Sequence, residues 1–190
     1  ENSFTLIKGP SGCGKSTALF TMGGLLHPSS GIVNLLGENL YDLNENRRRQ
    51  ITARNIGFVF QAYHLLPYLS VNDNIQLQNR LPFIDIDQGF VAQLIEDLQL
   101  QKRLNHTPQE LSAGERQRVA LVRALASNPR IILADEPTGN LDPENSRIVL
   151  SFFKKFQAQG GTIVMVTHSS EADEEADITI HIRDGRIEAI

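Results

Sequence analysis

The run Gly9-Pro10-Ser11-Gly12-Cys13-Gly14-Lys15-Ser16, followed by Thr17, fits the spacing G-x-x-x-x-G-K-[ST]. These residue types suit a phosphate chain. Glycines let successive backbone N–H groups curl around oxyanions, and a helix starting at the end of the loop turns its positive N-terminus to the same phosphates. Lys15 supplies positive charge for the β and γ phosphates, and the Ser16 hydroxyl is a hard oxygen ligand for Mg²⁺. Cys13 lies inside the loop, where aligned N–H groups would favour a thiolate, but it is expected to serve there as a small space-filling residue. Far along the chain, the apolar stretch Ile131 to Ala134 ends in Asp135-Glu136. A strand there carries two adjacent carboxylates to its C-terminal edge, where ligands bind in open α/β sheets. Asp135 is suited to hold Mg²⁺ through water opposite Ser16, and Glu136 to polarise an attacking water. A third feature is Leu111-Ser112-Ala113-Gly114-Glu115. Ser112 is a good N-cap and Gly114 has no side chain, so the helix that follows offers a hydroxyl and free N–H groups, a second anion-binding helix end.

These groups must be placed by strands and helices that alternate along the chain. Short apolar runs bounded by turn signals predict strands at Phe4 to Ile7, Ile56 to Phe60, Ile131 to Ala134, Thr162 to Thr167 and Ile178 to Arg183. A run apolar at every position, such as Ile131-Ile132-Leu133-Ala134, suits a parallel strand covered on both faces. Asp142 before Pro143 is an N-cap followed by proline at the first helical position, and Gly160-Gly161 ends the same helix. Between Gln61 and Leu111 the strand signal vanishes. There Ser70 and Asp73 make a capping box, and Phe90, Val91, Leu94, Ile95 and Leu98 form a helical, core-facing stripe. Asp184-Gly185 reads as a hairpin turn between Ile178–Arg183 and Arg186–Ile190.

Taken in order, these motifs resemble those of the ABC (ATP-binding cassette) ATPases from end to end of the chain. The resemblance implies an α/β fold: a P-loop NTPase core with a mainly parallel sheet flanked by helices, plus a helical insertion carrying the signature sequence. Gln61, at the end of Ile56-Gly57-Phe58-Val59-Phe60, resembles the glutamine that touches Mg²⁺ and the attacking water. Ser112, Ala113, Gly114 and Glu115 resemble the signature. Asn140, Leu141 and Asp142, after Pro137-Thr138-Gly139, resemble the loop that crosses a dimer interface, and His168 the histidine that reaches the γ phosphate. In the family two copies pair head to tail, so that each ATP lies between Lys15 of one subunit and Ser112 and Gly114 of the other. The usual signature reads Leu-Ser-Gly-Gly-Gln. Ala113 and Glu115 depart from it, which bears on the affinity of closure rather than on function.

Within the family, Gln61-Ala62-Tyr63-His64-Leu65-Leu66-Pro67 and Pro137-Thr138-Gly139-Asn140-Leu141-Asp142 are similar to the ATPases of lipoprotein-release and macrolide-export transporters. The resemblance implies a permease-type membrane partner, whose short cytoplasmic helix lies in a groove beside the helical insertion, with Tyr63, Leu65, Leu66, Tyr68 and Leu69 as its expected lining. The alternatives are a regulator of a membrane partner of the cell-division type and a nucleotide-binding fragment without turnover. DNA-repair and chromosome-organising relatives separate their two halves by long coiled coils, and no heptad run is present here.

Composition agrees with this reading. A chain of 190 residues with 41% hydrophobic residues can fill one buried core. The expected division is one domain over 1–190, with a core of 1–61 and 127–190 and a helical subdomain over about 62–126. The net charge is −4, and Arg47-Arg48-Arg49 is the only basic run, so nucleic acid is not an expected partner. With one cysteine there is no internal disulfide, and no stretch of 18 apolar residues is present. A cytoplasmic location, peripheral on the inner face of the membrane, is expected. The chain opens at Glu1 and enters a strand within a few residues. Upstream strands, including an aromatic that stacks on adenine, are therefore expected to be missing, and ATP binding to be some ten to a hundred times weaker, as loss of roughly 1 to 3 kcal/mol of stacking implies.

Overall fold

The computed structural model describes residues 2–188. The chain runs through β1 (Phe4–Lys8), α1 (Lys15–Met22), the short strands β2 (Asn34–Leu35) and β3 (Glu38–Asn39), α2 (Glu45–Asn55) and β4 (Ile56–Phe60). A helical stretch follows with α3 (Val71–Ile75), α4 (Gln88–Asp97) and α5 (Ala113–Leu125). The chain then continues through β5 (Ile131–Asp135), α6 (Pro143–Ala158), β6 (Thr162–Val166), β7 (Ile178–Arg183) and β8 (Arg186–Ile187). The five long strands stand where the apolar runs put them, with ends shifted by at most one residue. The sheet order is β4-β5-β6-β1-β7-β8, parallel throughout except for the β7–β8 pair.

Period-two alternation assigns the sheet's two faces. Phe4, Leu6, Ile132, Ala134, Ile163 and Met165 join one buried cluster, covered by Val149, Leu150 and Phe153 of α6 and by α5. Ile7, Leu133 and Val166 join the other, with Leu19 of α1 and Ile51 of α2. The result is a sheet between two helical layers. The first cluster continues without a break into Val71, Ile75, Val91, Leu94, Ile95 and Leu98 of the helical stretch. The stripe on α4 therefore faces the core, as its spacing predicts. Where β4 passes under α5, a side chain at Gly57 would stand 2.4 Å from the Ala124 carbonyl oxygen, so this close approach requires glycine.

The end signals act as expected. Asp142 accepts a hydrogen bond from Asn145 N at 2.9 Å at the start of α6, Pro143 is its first residue, and the helix stops before Gly160. Ser70 caps α3, its Oγ accepting from Asp73 N at 3.0 Å, but the predicted box does not close: the Asp73 carboxylate accepts from the Ser70 hydroxyl at 2.6 Å instead of from the Ser70 N–H. Asp184 and Gly185 both adopt positive φ, 48° and 75°, as a tight right-twisted hairpin demands. Its second strand covers only Arg186–Ile187 of the predicted Arg186–Ile190, and the last two residues of that prediction lie outside the described ones. Two elements escaped the sequence reading. One is the hairpin of β2 and β3. The other is α2, which Asn44 caps by accepting from Arg47 N at 2.9 Å. Among the described residues, no helix is long and apolar enough to cross a membrane.

Candidate active site

Strand register brings the predicted residues to one edge. Phe60 pairs with Asp135, Asp135 with Val166, and Val166 with Ile7, so a single row crosses four parallel strands near their C-terminal ends. Just beyond that row the chain releases Gln61, Glu136, His168 and the loop that starts at Gly9. These side chains surround a cleft of about 790 Å³, lined by the loop residues Ser11, Gly12, Gly14, Lys15, Ser16 and Thr17, by Gln61, Glu136, Gly139 and Leu141, and by His168. Gly9, Pro10 and Cys13 do not line it. Cys13 is buried behind the loop in the cluster of Leu19 and Leu133. Gly9 lies against β7, where a side chain would stand 2.0 Å from the Ile182 carbonyl oxygen.

The contacts inside the cleft connect the predicted groups directly. The Lys15 ammonium donates to the carbonyl oxygens of Gly9 and Pro10, both at 2.9 Å, and lies 3.2 Å from His168 Nε2. Glu136 has φ 47°, a left-handed backbone that costs a residue with a side chain roughly 1–2 kcal/mol. Its N–H donates to Val166 O at 2.9 Å, and its carboxylate accepts from His168 N at 3.3 Å. The His168 ring also approaches it, with Nε2 at 3.3 Å from Oε1. His168 Nε2 thus stands between an ammonium and a carboxylate. It accepts from Lys15 when it carries no proton and donates to Glu136 when it does, never both at once.

Ser16 Oγ donates to Asp135 Oδ1 at 2.8 Å. Two hard oxygens in contact suit a Mg²⁺ site in which Ser16 would touch the ion and Asp135 would hold it through water. Among the described residues, no group of three or more His, Cys, Asp or Glu could hold a metal. This pair therefore suits an ion that takes most of its shell from phosphates and water. Gln61 lies beside the loop after β5: its backbone oxygen accepts from Asn140 Nδ2 at 3.4 Å. Asn140 and Asp142 do not line the cleft, and Asp142 serves as the α6 cap. Ser146, Ser169 and Glu171, which the sequence reading did not single out, do line it. They carry no motif, and only the fold brings them there.

The signature residues occupy a different place, at the start of α5, and none of Ser112, Ala113, Gly114 or Glu115 lines the cleft. Ser112 and Glu115 form a reciprocal capping box: Glu115 N donates to Ser112 Oγ at 3.2 Å, and Ser112 N donates to Glu115 Oε2 at 2.8 Å. Of the N–H groups expected to be free, those of Ser112 and Glu115 are engaged in this box, which leaves Ala113 and Gly114 outside it. Gly114 packs on α6, where a side chain would lie 2.2 Å from Asn145 Oδ1, so any larger residue there has to displace the Asn145 amide. Asn145 Oδ1 also accepts from Arg118 at 2.6 Å, tying the signature helix to the loop that Asp142 ends.

Glu115 pairs with Arg103 at 2.6 Å. The Arg103 hydrogen bond first, and the Ser112 N–H second, hold its carboxyl below the usual range. A depressed folded value means that this contribution to stability is present above the unfolded carboxyl range, ~4.3. It is lost as pH falls through the lower folded value. Glu115→Gln keeps the capping geometry and removes the pair. Urea midpoints of the variant are expected to fall less steeply than those of the parent chain from about pH 4.3 downward. Parallel curves would remove the pair from the acid response.

A second, mainly apolar cleft of about 760 Å³ opens between α2 and the helical stretch, lined by Phe58, Phe60, His64, Leu81, Phe83 and Arg123 among others. None of Tyr63, Leu65, Leu66, Tyr68 or Leu69, the lining expected of a groove, borders it. Leu65 packs on the core, Tyr63 lies under Arg116, and Tyr68 is 76% exposed.

A parallel sheet that carries a phosphate loop after its first strand and paired carboxylates at the end of another defines a P-loop nucleoside-triphosphatase fold. The sequence family described as "ABC transporter" matches residues 1–139. An uncharacterised ABC transporter ATP-binding protein of Thermotoga maritima is 43% identical over 192 residues, covering 100% of this chain and 82% of that protein. The lipoprotein-releasing system ATP-binding protein LolD of Shewanella frigidimarina is 41% identical over 97% of this chain and 78% of its own length. The macrolide export ATP-binding/permease protein MacB of Chlorobium luteolum is 43% identical over 98% of this chain but only 28% of its own. Among solved structures, the ATP-binding cassette MJ0796, a dimer in a post-hydrolysis state bound to ADP and Pi, superposes with a TM-score of 0.90 at 36% identity. That match covers 100% of this chain and 84% of the other. The chain belongs to the ABC transporter family.

Proposed function

We propose that this chain binds and hydrolyses ATP and, paired head to tail with a second nucleotide-binding domain, powers a membrane transporter. One observation carries the reading: phosphate loop, Glu136, Gln61 and His168 meet around one cleft, with Asp135 behind them bonded to Ser16, while the signature helix end stands outside it. A second copy supplies that helix end to the nucleotide, and Ser112, Ala113 and Gly114 then face the phosphates. Solved relatives that are dimers support this arrangement.

In the cleft the backbone N–H groups of Gly12 to Thr17 hold the phosphates, and Lys15 turns from the loop carbonyls to the β and γ oxygens. Ser16 and Asp135, with Gln61 near them, would hold Mg²⁺, which when bound neutralises charge that develops on the phosphate oxygens. Glu136 orients the attacking water and accepts its proton. His168 steadies the γ phosphate through Nε2, the atom it shares with Lys15. Asn140, Leu141 and Asp142 lie at the pairing surface. The permease docks a short helix in the apolar cleft between α2 and the helical stretch, which places the chain in the cytoplasm, peripheral on the inner face of the membrane. The chain forms one domain, with the helical subdomain over about 62–126.

The test is turnover with MgATP together with mass in solution by light scattering on a sizing column, with and without nucleotide. Phosphate release and an ATP-dependent dimer are the expected results. ATP binding without turnover or dimer would make the chain a binding fragment.

A further inference from the structure

Gln61 leaves β4 into a strap of unusual backbone: Tyr63 has φ 61° and His64 φ 48°. Two consecutive residues with side chains rarely hold the left-handed region unless their surroundings enforce it. The strap's own turn bonds, Tyr63 N to Phe60 O and His64 N to Ala62 O, are joined by one side chain from outside it. Arg123, in the last turn of α5, donates from Nη2 to Tyr63 O at 2.7 Å and from Nη1 to His64 O at 2.6 Å. A single planar guanidinium thus fastens two successive carbonyls, a fork geometry that an ammonium cannot reproduce.

The neighbours hold the strap's side chains as well. The Arg116 guanidinium lies 5.6 Å from the centre of the Tyr63 ring, and His64 meets Phe60 edge-on at 4.7 Å. Burial draws Arg123 below its ordinary pKa, and among the described residues it forms no ion pair with a carboxylate. Its charge is answered by the strap's carbonyls. The strap also separates the two clefts, since Gln61 lines the nucleotide cleft while His64 and Arg123 line the apolar one.

We propose that Arg123 is a positioning residue for Gln61: its guanidinium clamps the left-handed strap, and so holds the glutamine at the edge of the nucleotide cleft and joins it mechanically to the signature helix. The inference rests on the reading of Gln61 as part of an ATP-hydrolysing site. It assigns Arg123 no contact with nucleotide. Its loss should therefore lower turnover and leave ATP affinity in place.

The experiment is a double-mutant cycle. Arg123→Lys and Arg123→Met are made in the parent chain and in Gln61→Ala, with kcat measured by phosphate release and Kd with a fluorescent ATP analogue. Arg123→Lys is expected to lower kcat roughly tenfold to a hundredfold, the scale of a small misplacement at a reacting centre. Kd should stay within about threefold, and the same substitution in Gln61→Ala should cause little further loss. Losses that multiply in the double variant, or a Kd that rises as far as kcat falls, would overturn the route through Gln61. Should Arg123→Met fail to fold, Arg123→Lys keeps the stem and the charge and carries the same comparison. Amide hydrogen exchange, followed without nucleotide, supplies a readout independent of turnover. Peptides covering 61–66 should exchange faster in the Arg123 variants and peptides covering 9–17 at the parent rate. Unchanged exchange at 61–66 would overturn the clamp. A parent chain that hydrolyses no ATP would sink the functional reading, and exchange would still decide the clamp.

Discussion

Replacing Glu136 by glutamine is expected to lower ATP turnover by a factor on the order of 10²–10⁴, the usual contribution of a placed general base. Glutamine matches glutamate in size. It can still accept at its carbonyl oxygen the hydrogen bond that His168 N now makes to Glu136 at 3.3 Å. The left-handed backbone at 136, with φ 47°, is held by the N–H bond to Val166 O and does not depend on the side-chain charge. What the substitution removes is the capacity to take a proton from water. ATP affinity should therefore stay within about threefold, and a dimer that forms on ATP should persist because the nucleotide that holds it is not consumed. Phosphate release together with light scattering checks both parts. Turnover at the parent rate would place the base elsewhere, and a monomer with ATP bound would show that closure itself fails.

Phe153→Ala should produce the largest loss of stability. Phe153 is fully buried on α6 and meets Phe4 edge-on, with ring centres 6.1 Å apart. Phe4 begins β1, the strand that feeds the phosphate loop, so this contact ties the helix after Asp142 to the strand before Gly9. Truncating a buried phenylalanine costs about 3–5 kcal/mol through lost transfer energy and the cavity left behind. For a chain of this size that lowers Tm by roughly 6–20 °C. Urea unfolding should show a lower midpoint with an unchanged slope. ATP binding well below the new Tm should survive, because no cleft residue has changed. A loss under about 1 kcal/mol would mean that the helical layer closes over the gap.

Much of this protein is legible because its signals are local. A phosphate loop needs glycine, lysine and serine at fixed offsets, since the N–H groups that hold phosphates belong to adjacent residues. The capping of α3, α5 and α6 is similarly local: Ser70, Ser112 and Asp142 bond to N–H groups three residues on. Strands β5 and β6 are legible because both faces of a parallel strand are covered, which leaves a short, nearly continuous apolar run, whereas β7, largely exposed, shows itself by alternation in Ile-Thr-Ile-His-Ile-Arg. Helix α2 was not, since Glu45 to Asn55 buries only Ile51 and shows almost no apolar stripe. Its one clear signal is Asn44.

The sequence by itself determined which chemistry was available: loop, paired carboxylates, glutamine, histidine and signature, each in order and each at the end of a strand or the start of a helix. The tertiary structure alone decided which of them meet. Sheet order places β6 between β5 and β1 although it comes late in the chain, and that order brings His168 between Lys15 and Glu136. It also explains constraints that no local rule contains. Gly9 answers to Ile182, Gly57 to Ala124 and Gly114 to Asn145, and Arg123 fastens a strap some 60 positions earlier. The physical reason is range: hydrogen bonds along a helix or within a loop follow sequence spacing, whereas steric fit and fork-shaped hydrogen bonds depend on which segments packing has brought together.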